Sequence, residues 1–91
     1  MSLNRYAKRR DTTEGEIVAV LRAAGFHVEL IDRPVDAIAS RAGRWYLLEF
    51  KTGKKKTTTA QNRFIAEARA PVVILRSAGD AVAWVSNPSR K

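Results

Sequence analysis

No cysteine occurs in the 91 residues, which excludes disulfides and thiolate zinc sites. Histidine is almost absent too. His27 stands alone, so no metal centre can be assembled from imidazoles, and its place in an alternating segment reads as an exposed strand position. Acidic residues are scarce, nine against seventeen Lys and Arg, and the net charge is +8. No apolar run approaches the roughly 20 residues of a membrane span. The N-terminus passes from Met1 to the basic cluster Arg5, Lys8, Arg9 and Arg10 without the apolar core of a secretory signal, so a cytoplasmic location with no membrane association is expected.

What remains is ordinary globular material with an excess of cations. The hydrophobic fraction of 45% is too high for disorder. A chain of this length makes one domain that buries roughly 60–65% of its unfolded surface, so its core is thin and self-association would help it. A charge of +8 on so small a surface favours polyanions, of which nucleic acid is the commonest soluble one. The alternative is a solvated basic face with no dedicated partner.

Residues 1–10 read as a flexible basic arm, 11–86 as a single domain and 87–91 as a tail, without repeats or an internal linker. Ile17, Val18, Leu21 and Ala24 recur at helical spacing from Thr13, and Gly25 stops that helix. Phe26 to Ile31 alternates as a strand, Arg33-Pro34 breaks it, and Asp36 to Ala39 reads as a second strand. Arg41-Ala42-Gly43 turns the chain into a third strand, Arg44 to Lys51, which makes a hairpin. A helix is expected from Thr59 to Ala68, with Phe64, Ile65 and Ala68 inward. Val72 to Leu75 reads as a buried strand. Ala78 to Val85 fits helix or strand, helix being preferred. The order is αβββαβ.

The third strand carries the chemistry. Glu49 and Lys51 share one face with Leu47, while Tyr46, Leu48 and Phe50 take the other. Charges ending so apolar a strand are expensive to bury unless something pairs with them. The markers Thr13-Glu-Gly-Glu-Ile-Val-Ala-Val-Leu-Arg-Ala-Ala-Gly25, Pro34-Val35-Asp36, Leu48-Glu49-Phe50-Lys51, Thr59-Ala60-Gln61 and Val72-Val-Ile-Leu-Arg-Ser77 span about residues 9–77. This pattern resembles the PD-(D/E)xK nuclease superfamily, and within it the small phage-type VRR-NUC proteins related to archaeal Holliday junction resolvases. The resemblance implies a restriction-endonuclease-like α/β fold, an αβββαβ core whose mixed central sheet is flanked by helices. It also implies a bacterial or phage-encoded, homodimeric DNA endonuclease acting on branched or structured DNA.

Phosphodiester hydrolysis needs a hard divalent cation, Mg²⁺ or Mn²⁺, and two protein carboxylates suffice to hold one. Asp36 and Glu49, brought side by side by the hairpin, supply them. By resemblance the carbonyl of Phe50 adds a third oxygen, and Lys51 orients the attacking water or offsets transition-state charge. Taken singly, Glu49 and Lys51 also fit an exposed ion pair worth about 0–1 kcal/mol, and Asp36 a turn residue after Pro34. The superfamily usually places proline directly before the aspartate. Here Val35 intervenes, which leaves Asp32 as the alternative ligand.

A third acid is expected from the first helix. Glu14 falls on the stripe of Ile17, Val18 and Leu21, whereas Thr13-x-x-Glu16 fits a capping box, as does Asp11-x-x-Glu14. Gln61 likewise has two roles open to it, beside the site by resemblance or capping its helix with Thr58. Lys54, Lys55 and Lys56, with Arg9 and Arg10, are the expected phosphate contacts, a solvated loop being the other reading. Trp45 and Trp84 suit core or dimer packing better than base stacking. The dimer interface is expected on the Trp45 or Tyr46 face together with the segment around Trp84. The rival functions are a catalytically inactive nucleic-acid-binding module on the same fold, and a phage protein that binds a host factor.

Overall fold

The computed structural model describes residues 12–52 and 56–87. The first helix, α1 (Thr12–Ala23), buries Ile17, Val18 and Leu21, the stripe set by their three- and four-residue spacing. It ends in a Schellman motif: Phe26 N–H donates to the Leu21 carbonyl, Gly25 N–H to that of Arg22, and Gly25 takes φ +93°. The Arg41 guanidinium donates to the Ala24 carbonyl at 3.0 Å and lies 4.5 Å over the Phe26 ring, tying this helix end to the sheet.

Three antiparallel strands follow, β1 (His27–Leu30), β2 (Ala37–Arg41) and β3 (Arg44–Phe50). Arg41 pairs with Arg44 across Ala42 and Gly43, whose φ values of 57° and 80° make the two-residue turn type I′. Helix α2 (Thr59–Glu67) then crosses to β4 (Val72–Leu75), which pairs in parallel with β3, and α3 (Ala78–Val85) closes the chain. The result is a small α/β arrangement, a four-stranded mixed sheet in the order β1-β2-β3-β4 with three helices. Among the described residues no helix is long and apolar enough to cross a membrane.

The two faces of the sheet are unequal. Val28, Ala37, Ala39, Leu48, Phe50 and Leu75 form the core with α1 and with Ala81 of α3. Ala37 and Ala39 are fully buried, and their methyl side chains leave room for α1. On the other face α2 packs Phe64 and Ile65 toward Pro34, Val35 and Val72, yet buries no residue completely.

Three expectations change here. Strand β4, expected to be buried, lies at the sheet edge, buries only Leu75 and leaves Ile74 exposed. The second strand begins at Ala37 rather than Asp36, although the Asp36 backbone still joins the ladder, donating to Leu48 O at 3.0 Å and accepting from Ile31 N at 2.8 Å. Tyr46 and Trp84, expected at an interface, are half-buried against the core. They form an aromatic cluster with Phe26, with ring centroids 5.1–6.0 Å apart. Trp45, of opposite parity, is 65% exposed.

Ala42 is the one described non-glycine residue with positive φ, a conformation that costs an alanine about 1 kcal/mol. Ala42→Asn, the residue that type I′ turns favour before glycine, is expected to raise unfolding stability by about 0.5–1 kcal/mol. Urea denaturation checks it: the midpoint rises while the slope stays constant.

Candidate metal centre

At the end of the β2–β3 hairpin away from its turn, two acids meet. Asp36 is 7% exposed and Glu49 4%. Asp36 and Glu49 have the same strand parity, on the face that α2 partly covers. The Phe50 N–H donates to Asp36 Oδ2 at 2.8 Å, which ties the carboxylate to the hairpin. Asp36 lies inside beside Glu49, and Asp32 is exposed. Val35, just before Asp36, is itself buried.

Around Glu49 stand two donors. Gln61 Nε2 donates to Glu49 Oε2 at 2.7 Å, and Lys51 Nζ lies 3.6 Å from the same oxygen. Lys51 is nearly buried, and its backbone N–H donates to Leu75 O at 3.1 Å, continuing the β3–β4 ladder beyond Phe50. Gln61 also completes a capping box with Thr58. Its two sequence roles are therefore held together: it caps α2 and touches the acid.

Burial pushes the Glu49 carboxyl up from about 4.5 to about 7, assisted by the charge of Asp36 and a hydrogen bond with it, while Lys51 pulls the other way. A buried acid pair with so little compensating charge attracts a cation. Two carboxylates supply hard oxygens that suit magnesium or manganese, which retain most of their waters. The residues present therefore fit a divalent ion held by Asp36 and Glu49.

The remaining expected site residues lie elsewhere. Glu14 is half-buried on α1 and Glu16 is exposed. Among the described residues no three His, Cys, Asp or Glu side chains gather into a metal-binding group, so Glu14 does not join the pair. The reason is geometric, because the inward stripe of α1 packs on the opposite face of the sheet, with α3. Lys56 is exposed; Arg9, Arg10, Lys54 and Lys55 lie outside the described residues. His27 is exposed, as expected, and pairs with Glu29 at 3.0 Å. Sequence reasoning missed the Phe50 N–H bond to Asp36, whereas the hairpin it expected does bring Asp36 beside Glu49, one step beyond the Ala37–Leu48 pair.

Comparison with family models, curated proteins and solved structures finds no match.

Because Glu49 titrates higher folded than unfolded, the folded protein holds the extra proton between about pH 4.5 and 7. Stability therefore falls as pH rises through that window, by about 1–3 kcal/mol in the metal-free protein. Glu49→Gln removes this dependence and should exceed the wild type in stability at pH 8. Urea unfolding at pH 5 and pH 8 in EDTA measures both effects.

Proposed function

We propose that the protein is a Mg²⁺- or Mn²⁺-dependent DNA endonuclease of the PD-(D/E)xK type, on a restriction-endonuclease-like fold, acting on branched or structured DNA. The observation that carries this reading is the buried Asp36–Glu49 pair flanked by Lys51 and Gln61. A buried like-charged pair opposes folding, and a binding role explains its presence better than packing does. The rest of the reading comes from the sequence resemblance and from the net charge of +8.

Asp36 and Glu49 would hold the cation. When bound, it supplies Lewis acidity to the scissile phosphate. Lys51, on the same strand face, directs its ammonium at the attacking water or at the charge that develops on the phosphoryl oxygens. Gln61 holds the Glu49 carboxylate in place. The sheet and α2 exclude bulk water from the acids and strengthen each of these interactions.

Asp36→Asn and Glu49→Gln should abolish cleavage while DNA binding survives or tightens, since each removes a negative charge facing the phosphate. Lys51→Ala should be inactive yet still bind the metal. Incubation with plasmid and four-way junction DNA in Mg²⁺, Mn²⁺ or EDTA, alongside a gel-shift assay, separates the outcomes. Cleavage by the Glu49 variant at the wild-type rate sinks the assignment, and DNA binding by a wild type that cuts nothing favours the inactive binding module.

We further propose a homodimer as the working unit, because paired incision of a duplex or junction needs two sites related by a two-fold axis. With Tyr46 and Trp84 committed to the core, the open face around Trp45 takes the interface role. Sedimentation equilibrium at micromolar concentration should give twice the 10.1 kDa chain mass, and Trp45→Ala should return it to the monomer value.

A further inference from the structure

The turn that starts α2 serves the sheet as well as the helix. Gln61 Oε1 accepts from the Thr58 backbone N–H at 2.9 Å, and Gln61 N–H donates to Thr58 Oγ1 at 3.1 Å. With Oε1 held by Thr58, the amide can present only its NH₂ group to Glu49, which it does at 2.7 Å. A flipped amide would face donor against donor at Thr58 and acceptor against carboxylate at Glu49. The box therefore locks the direction of the amide as well as ending a row of free N–H groups.

The lock falls on one particular oxygen. Gln61 Nε2 and Lys51 Nζ both approach Oε2 of Glu49, and neither of these contacts uses Oε1. We propose that Thr58 is a positioning residue: its hydroxyl caps the turn that holds its own backbone N–H against Gln61 Oε1, and through Gln61 it reserves Oε1 of Glu49 for the divalent cation, so that the carboxylate ligates through a single oxygen. This rests on the metal-binding reading above. Partners that orient a ligating carboxylate typically matter about 10- to 100-fold in metal affinity.

Two readouts on the full chain, both without DNA, test the lock. In metal-free protein, NMR should show the Gln61 side-chain NH₂ pair shifted from free-glutamine values and protected from solvent exchange in the wild type and in Thr58→Ser, and at free-glutamine shifts and exchange rates in Thr58→Val. In Mn²⁺ titrations followed by electron paramagnetic resonance, Thr58→Val and Gln61→Ala should each weaken binding about 10-fold, with Thr58→Ser within about two-fold of the wild type. Ser77→Ala, which removes the α3 cap instead, should lower thermal stability and leave Mn²⁺ affinity unchanged. A Thr58→Val protein that melts earlier yet keeps the wild-type NH₂ signals and Mn²⁺ affinity reduces the box to a helix cap and overturns the proposal. Locked NH₂ protons in a wild type that binds no Mn²⁺ would overturn the metal reading and the proposed oxygen selection, while leaving the amide lock intact.

Discussion

Two carboxylates held side by side out of water repel each other, and the local structure around the candidate centre answers that repulsion. The proton retained by Glu49 up to about pH 7 relieves part of it. The Phe50 N–H offsets the charge of Asp36, and Lys51 with Gln61 offsets that of Glu49. Each of these groups depends on a different feature: the hairpin register for Phe50, the parallel strand β4 for Lys51, the N-terminal turn of α2 for Gln61. Displacing any one of them leaves a carboxylate with less compensation and no exit to solvent.

The opposite face of the sheet supplies the rigidity. Ala37 and Ala39 share the core with Ile17, Val18 and Leu21 of α1, and Phe26, Tyr46 and Trp84 wedge the far end of the sheet against α3. Arg41 joins this cluster to the carbonyl end of α1. The hairpin that carries the acids is thus clamped from behind, at its turn end by aromatics and at its site end by Leu48, Phe50 and Leu75.

Element types and order were legible because periodicity and punctuation agreed. Gly25 ends α1, Pro34 divides β1 from β2, and Ala42-Gly43 marks the hairpin. Alternation along β3 also placed Glu49 and Lys51 on one face. Legibility stopped where a decision depended on packing between elements. Glu14 and Ile17 share a helical stripe, but only the assembled layers reveal that this stripe lies behind the sheet, away from the acid pair. Trp45 and Trp84 look alike in sequence, yet strand parity exposes one and α3 turns the other onto Phe26. Both roles of Gln61 were open in the sequence, and a side chain with two polar ends performs both.

Helix α2 contributes a residue to the centre while burying none of its own completely. Such an element opens more readily than the hairpin beneath it, since local unfolding free energy follows buried apolar contact. The candidate centre is thus half scaffold and half visitor. The acids stay fixed to a clamped hairpin, while the amide that orders them travels with a lightly held helix. Amide protons of α2 therefore exchange with solvent faster than those of α1 and β3, and each opening of that helix releases Glu49 from its donor without disturbing the core.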